Sequence, residues 1–211
     1  MKTGRLIGLL ATGAGPAPRA PVARRLAPAL AAALAVSTIA AIAALGLIPQ
    51  AMWSGAAPWI KLGYAAGLGV SCAWLVARLA RPAAPIGAAP YALAAVVAAM
   101  LLVGAADLAL VPQAERYSRL LGQSAGRCPW AILALSIPAL AGIMWALRGL
   151  APTRLRLAGL GAGLLAGAIG AAGYALSCTE QSAAFIAVWY SLGIALCGLL
   201  GGALGGRLLR W

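Results

Sequence analysis

Apolar residues form six long blocks along the chain, separated by short stretches that contain proline or charged residues. Each block holds roughly 20 residues, which is the length an α-helix needs to cross the hydrocarbon core of a bilayer. No stretch alternates with the period of two that marks a strand of a membrane barrel. The pattern therefore predicts an all-α, polytopic membrane protein, a six-transmembrane-helix bundle, with spans at about residues 26–48, 59–79, 89–110, 129–147, 157–176 and 184–206.

The composition agrees with a membrane protein and excludes a soluble enzyme. Apolar residues make up 64% of the 211 residues and charged residues only 9%, whereas a soluble domain carries about 25% charged residues. The chain has no histidine, so it has no histidine-based triad and no histidine-ligated zinc or haem. Its acidic side chains, Asp107, Glu115 and Glu180, are too few for paired-carboxylate catalysis. We therefore predict no catalytic residues and no enzymatic activity.

The net charge of +13 is typical of proteins that bind nucleic acid, but the arginines are scattered between apolar blocks rather than gathered on one face. They instead follow the pattern that orients membrane proteins, in which the cytoplasmic loops are richest in lysine and arginine. Twelve of the 16 basic residues lie in the N-terminal tail, the second and fourth loops and the C-terminus. We therefore predict that both termini are cytoplasmic, that the chain contacts membrane lipid, and that it does not bind nucleic acid directly.

Residues 1–25 precede the first span and form a separate segment. Leu6, Leu9 and Leu10 are spaced as i, i+3 and i+4, which places them on one face of a short helix. The apolar run from Leu6 to Ala11 is too short for the core of a cleaved signal peptide, so we expect a retained cytoplasmic tail. So short a helix does not persist alone in water. The sequence leaves two interpretations: the helix lies on the membrane, or it docks into the groove of a partner.

Glycines recur every four residues in the last two predicted spans. They are Gly159, Gly163 and Gly167 in the fifth span and Gly198, Gly202 and Gly206 in the sixth. Small residues at this spacing let two helix backbones approach closely, and close packing drives helix association inside a membrane. A channel lined by backbone is the alternative, but we expect helix packing.

Asp107 is the one acidic side chain inside a predicted span. An ionisable residue within a membrane helix is a functional candidate by default. Asp107 lies close to the predicted outer boundary, however, where Arg116, Arg119 or Arg127 can pair with it, so we favour a structural role. A transporter of small solutes or metal ions is the alternative function. It would place polar groups near the middle of the membrane, and the sequence offers none there.

The four cysteines divide into two kinds by position. Cys72 and Cys197 lie inside predicted spans, where cysteine is usually a small packing residue. Cys128 and Cys178 lie at the predicted outer ends of the fourth and fifth spans. They can form a disulfide, bind a soft metal ion with Glu180 nearby, or be unrelated thiols, and the residues alone leave these alternatives open. The chain has no CxxC pair, which an enzyme of thiol chemistry would be expected to carry.

Several short segments resemble, in their order and spacing, those of a known protein family. They include Met1-Lys-Thr3, Arg78-Leu-Ala-Arg-Pro82, Tyr174-Ala-Leu-Ser-Cys178, Val188-Trp-Tyr190 and Arg207-Leu-Leu-Arg-Trp211. With them the chain resembles, over nearly its whole length, the NrsF family of six-span inner-membrane anti-sigma factors. The resemblance implies that the cytoplasmic N-terminal segment binds an extracytoplasmic-function (ECF) sigma factor of the sigma-F type. It also implies that a periplasmic cysteine pair, matching Cys128 and Cys178, takes part in sensing stress or heavy metals.

The residues and the resemblance together predict an anti-sigma factor of the bacterial inner membrane. The predicted sigma-binding residues are Leu6, Ile7, Leu9 and Leu10. The predicted sensor is the pair Cys128 and Cys178, joined as a disulfide or sharing a soft metal ion with Glu180 as a further ligand. No cofactor is expected apart from such an ion, and the sequence makes no prediction of oligomeric state. A periplasmic oxidative or heavy-metal signal at the cysteines is expected to shift the helices and release the sigma factor.

Overall fold

The structure is a computed structural model, and it describes residues 3–13, 21–82, 84–150 and 152–210. These residues form helices joined by short turns, and none of them lies in a β-strand. The helices are α1 (Thr3–Gly13), α2 (Pro21–Leu45), α3 (Ala56–Leu79), α4 (Ala89–Ala109), α5 (Gln113–Leu121), α6 (Cys128–Arg148), α7 (Leu155–Ala175), α8 (Ala183–Phe185) and α9 (Ser191–Leu208). A 3₁₀ turn, Gln50–Ser54, precedes α3, and a π-helical turn, Ile186–Tyr190, joins α8 to α9.

Six of these helical segments are long and apolar enough to cross a membrane: α2, α3, α4, α6, α7 and the continuous segment Ala183–Leu208. This confirms the predicted fold class, an all-α chain with six helices of spanning length. The first of them begins at Pro21 and ends at Leu45, somewhat before the predicted 26–48. Proline fits the first turn of a helix, and Gly46, with a φ of 77°, ends the helix in a left-handed conformation.

The helix α7 lies at the centre of the bundle. It packs against α2, α3, α6 and α9, and 15 of its 21 residues are buried. Twelve of the buried residues are glycine or alanine, so neighbouring helices approach its backbone closely. The helix α4 lies at the edge, and its buried residues are Ala89, Met100 and Gly104. A movement of α7 therefore reaches four other helices directly.

The glycines of α7 form a seam with α9 in which the two backbones touch. A Cβ atom on Gly159 would lie 2.7 Å from the Cα of Gly205, and a Cβ atom on Gly167 would lie 2.9 Å from the Cα of Ile194. Between them, a Cβ atom on Gly163 would overlap the backbone of α9. Larger residues do not fit at these distances, so the α7 glycines serve the helix packing that their spacing predicts. On α9 the closest backbone contacts are made by Gly201 and Gly205, whereas the predicted Gly202 and Gly206 make only ordinary contacts.

The contact between α2 and α6 includes a hydrogen bond close to the proline of α6. Pro138 lies inside α6 and has no N–H to donate, which weakens the hydrogen-bond ladder one turn earlier. The hydroxyl of Ser37, a fully buried residue of α2, donates to the carbonyl of Leu135 over 2.7 Å. A serine of a neighbouring helix therefore supports the backbone near the proline, as is common in membrane helices.

Buried side chains form two clusters, one towards each end of the bundle. The first is called the cysteine end, because its cluster contains Cys128 and Cys178. The second is called the arginine end, because it holds the start of α2 and the end of α6, with Arg25 and Arg148. Asp107 and Glu180 lie at the cysteine end together with Cys128 and Cys178.

Candidate functional site

The two predicted sensor cysteines belong to the same buried cluster. Cys128 is the first residue of α6, and Cys178 lies in the loop that follows α7. Their exposed fractions are 0% and 3%, and all four thiols of the chain are free. Cys72 lies instead in the cluster of the arginine end, and Cys197 packs against the glycine seam of α7. The fold therefore groups the two boundary cysteines and separates them from the two cysteines inside the spans.

The carboxylate of Glu180 ties the two cysteine-bearing segments together. Its Oε1 atom accepts a hydrogen bond of 2.7 Å from the backbone N–H of Gln123 and one of 2.8 Å from the hydroxyl of Ser124. The N–H of Cys128 in turn donates to the carbonyl of Ser124 over 2.8 Å. Since Glu180 lies two residues after Cys178, its carboxylate closes the loop after α7 onto the turn that precedes α6.

These hydrogen bonds use one oxygen of the Glu180 carboxylate, and its role as a third metal ligand stays a prediction. Among the residues that the structure describes, no three histidine, cysteine, aspartate or glutamate side chains are grouped to hold a metal ion. The carboxylate is occupied as a structural bridge between two loops. The predicted ligands of a soft ion at this site are the sulfur atoms of Cys128 and Cys178, with Glu180 as the further ligand.

Lys61 is a functional candidate that the sequence patterns do not single out. It lies near the start of α3, its exposed fraction is 0%, and its Nζ atom donates a 2.6 Å hydrogen bond to the carbonyl of Cys178. This hydrogen bond holds the start of α3 against the loop that carries both Cys178 and Glu180. The signal in the sequence is its position inside the span predicted to begin at residue 59, because ionisable residues within membrane helices are rare and usually functional.

Tyr190 brings another polar group to the cysteine end. Its side chain is fully buried, and its hydroxyl has no hydrogen-bond partner among the described residues. Its ring centroid lies 5.9 Å from that of Tyr174, and both tyrosines belong to the buried cluster that contains Cys128 and Cys178. Tyr190 is the last residue of the π-helical turn, a geometry that is rare and frequent at functional sites. Tyr190 thus places a buried hydroxyl in the same cluster as the two thiols.

Asp107 forms an ion pair at the rim of the cysteine end. Its Oδ1 atom lies 2.9 Å from Nη1 of Arg119, which is one of the three arginines predicted to pair with it. Its Oδ2 atom accepts hydrogen bonds of 2.8 Å from the hydroxyl of Ser182 and 3.3 Å from the N–H of Ala184. The carboxylate thus connects α4, α5 and the start of α8, which supports the structural interpretation of this residue.

The predicted N-terminal helix is present as α1. Two of the four predicted sigma-binding side chains, Ile7 and Leu10, have exposed fractions of 61% and 67%. The side chains of Leu6 and Leu9 lie outside the described residues. The contact of these four residues with a sigma factor stays a prediction.

The fold defines a polytopic helical protein with six helices of spanning length, and the described residues include no group of three metal-ligand side chains. The chain belongs to the NrsF family, described as "Negative regulator of sigma F", and the match covers residues 10–211. Family membership confirms the resemblance that the sequence motifs indicate.

Two relatives are similar over the whole of both chains. One is the "Probable anti-sigma-F factor NrsF" of Azospira oryzae, which is 38% identical over 213 residues with 100% of each chain covered. The other is the "Anti-sigma-F factor NrsF" of Caulobacter vibrioides, which is 38% identical over 224 residues with the same coverage. Both are named as regulators rather than enzymes. No solved structure matches the chain.

Proposed function

We propose that this chain is an anti-sigma factor of the bacterial inner membrane. It holds an ECF sigma factor through residues 1–25 on the cytoplasmic side and releases it when an oxidative or heavy-metal signal reaches the cysteine end. The observation that carries the proposal is the full-length similarity to two anti-sigma-F factors, at 38% identity each. Six helices of spanning length support the membrane location. The distribution of basic residues supports cytoplasmic termini.

The helix α1 is the proposed contact with the sigma factor. Ile7 and Leu10 are spaced as i and i+3, so they lie on one side of the helix, and both are largely exposed. Exposed aliphatic side chains on a short helix are the anchors that a partner protein buries in a groove. Leu6 and Leu9 extend the same face in the sequence pattern.

The thiols of Cys128 and Cys178 are the proposed sensor. Oxidation joins them as a disulfide, and two electrons and two protons pass to the oxidant. A soft cation instead replaces the thiol protons and binds both sulfur atoms. In the second case the buried ammonium of Lys61 favours loss of the thiol protons, because a nearby positive charge stabilises a thiolate. Both reactions change the position of the loop after α7, whose carbonyl at Cys178 is already held by Lys61.

The helix α7 is the proposed connection between the two ends of the bundle. The loop that carries Cys178 continues directly from its last turn, where the N–H of Cys178 donates to the carbonyl of Tyr174 over 3.0 Å. At its other end, α7 packs through Gly159 against Gly205 of α9. Coupling between distant sites is typically about 1–3 kcal/mol, so release of the sigma factor would be graded with the strength of the signal.

Purification of the full-length chain from membranes tests the proposal. A sigma factor should co-purify with the intact chain and should leave it after treatment with an oxidant or a thiophilic metal ion. A matched variant that lacks residues 2–13 should reach the membrane in equal amount without the sigma factor. If the sigma factor stays with this variant, the binding site lies in the cytoplasmic loops, around Arg81 or Arg154, and the role given to α1 is wrong.

A further inference from the structure

The arginine end contains a basic cavity between α2 and α6. It has a volume of about 630 Å³, and its lining includes Arg24, Arg25, Arg148 and the indole of Trp145. The three acidic side chains of the chain, at positions 107, 115 and 180, lie in or near the other end of the bundle. The cavity therefore holds three positive charges with no acidic side chain of this chain beside them.

Two of these arginines lie where the binding of an anion in the cavity is favourable. Arg24 and Arg25 lie in the first turns of α2, where the helix dipole is positive, and the first turn of α2 contains no acidic residue. The guanidinium of Arg25 lies against Gly149, where a Cβ atom would overlap it. Glycine at this position thus leaves room for the guanidinium at the end of α6. An anion in the cavity would offset the charge of both arginines and of the helix terminus.

An apolar groove continues from the cavity along the surface between the same two helices. It has a volume of about 350 Å³ and shares Arg25, Pro28 and Trp145 with the basic cavity. It extends along α2 as far as Val36. At the rise of an α-helix the distance from Arg25 to Val36 is about 16 Å, which is close to half of the bilayer core. Trp145 is 79% exposed at the mouth, a position that tryptophan favours at the membrane interface.

We propose that the cavity and the groove together bind one anionic phospholipid. The phosphate contacts Arg24, Arg25 and Arg148, and an acyl chain lies in the groove between α2 and α6. Basic cavities between membrane helices have the chemistry that such headgroups require. A zwitterionic lipid fits less well, because its own ammonium group offsets the phosphate charge. In the orientation of the proposed function this lipid belongs to the cytoplasmic leaflet, but the binding site itself does not depend on sigma-factor binding.

Native mass spectrometry of the purified full-length chain, titrated with phosphatidylglycerol or phosphatidylcholine, tests the site. The unchanged chain should retain one phosphatidylglycerol in preference to phosphatidylcholine. Arg24→Gln with Arg148→Gln should weaken retention of phosphatidylglycerol by at least about tenfold, since each arginine near a membrane surface contributes on the order of 1 kcal/mol. Arg78→Gln with Arg81→Gln removes the same charge at the end of α3 and should change retention far less.

A third variant tests the groove without changing any charge. Gly142 lines the groove, and a Cβ atom there would meet no other atom within 4 Å, so Gly142→Leu fills the groove and leaves the helix packing intact. It should lower phosphatidylglycerol retention several-fold.

Equal losses in the two double-arginine variants, or equal retention of both lipids, would overturn the proposal in favour of a diffuse basic surface. If Gly142→Leu retains as much phosphatidylglycerol as the unchanged chain, or if inorganic phosphate displaces the lipid fully, the cavity binds only the phosphate and the groove binds no acyl chain. If Arg24→Gln with Arg148→Gln retains the lipid and loses only the sigma factor, the cavity is a protein contact and the lipid site is wrong.

Discussion

The Nζ atom of Lys61 lies 2.6 Å from the backbone carbonyl oxygen of Cys178, and 117 residues separate the two along the chain. The hydrogen bond joins the start of α3 to the loop after α7. A fully buried ammonium is costly unless polar groups surround it, and an apolar residue of similar volume usually packs at least as well. The position of Lys61 therefore favours a role in function over a role in stability.

Replacement of Lys61 by methionine should separate these two roles. Lys61→Met keeps the volume and removes the charge, so the melting temperature in detergent should stay the same or rise. Induction of the sigma-factor regulon by a thiophilic metal ion should fall by about fivefold or more, because the positive charge that favours loss of the thiol protons is removed. Differential scanning fluorimetry and a transcriptional reporter measure the two effects.

Lys61→Arg is the matched control, because it retains the positive charge. It should keep part of the induction that Lys61→Met loses. A melting temperature that falls in Lys61→Met while induction stays normal would assign Lys61 to the stability of the bundle and remove it from the sensor.

Substitution of the two boundary cysteines should lock the regulator in one state. Cys128→Ser and Cys178→Ser, singly or together, should abolish induction by oxidants and thiophilic metal ions. The double variant should resemble each single variant, since the two thiols act as a unit. Cys72→Ser and Cys197→Ser are controls inside the spans, and both should keep induction. Normal induction in all the boundary variants would make Cys128 and Cys178 structural.

The apolar face of α1 should carry most of the contact with the sigma factor. Truncation of one large apolar anchor at an interface typically costs about 2 kcal/mol or more. Leu6→Ala with Leu10→Ala should therefore release the sigma factor and raise transcription of its regulon without lowering the amount of chain in the membrane. Gly8→Ala is the control, because no atom lies within 4 Å of its Cβ position. It should leave binding intact or tighten it by stabilising the helix, and weaker binding in this control would argue against a helical contact.

A side chain in the glycine seam should destabilise the bundle. Gly163→Val forces a side chain into the backbone of α9, and overpacking of this kind typically costs about 1–3 kcal/mol. Gly63→Val is the matched control in α3, where a Cβ atom would meet no other atom within 4 Å. Thermal unfolding in detergent compares the two variants. Equal stability of both would mean that α7 and α9 separate more easily than their contacts indicate.

Both termini should be cytoplasmic, because 12 of the 16 basic residues lie on the side that holds them in the predicted topology. Alkaline phosphatase fused after Trp211 should be inactive, and a fluorescent protein at the same place should fluoresce. Phosphatase activity in that fusion would mean that the number of spans or the predicted orientation is wrong.

The helices can be predicted from the sequence because each depends on a pattern among residues that are close together along the chain. A run of apolar residues of spanning length, or a glycine every four positions as at Gly159 and Gly163, is visible without the fold. The start of α2 is less clear, because Arg24 and Arg25 resemble the end of a polar tail. Their aliphatic stems allow the helix to continue while the charged groups reach water or lipid headgroups.

The polar contacts of the cysteine end depend on how distant helices come together. The sequence gives the boundary position of Cys128 and Cys178, but neither periodicity nor spacing indicates that Lys61 points at the carbonyl of Cys178. The role of Glu180 as a bridge to Gln123 is hidden for the same reason, since the two residues belong to different loops. The π-helical turn that ends at Tyr190 depends on tertiary packing and has no local pattern of its own.

The composition of α7 also determines how this helix can move. Of its 15 buried residues, Leu165, Ile169 and Tyr174 are the large ones, and the rest have no side-chain torsion that can rotate. Most helices absorb a small displacement by changing rotamers, but α7 has little such compliance. It should therefore move as a rigid body. A translation or rotation of α7 at one membrane surface should produce a displacement of similar size at the other surface.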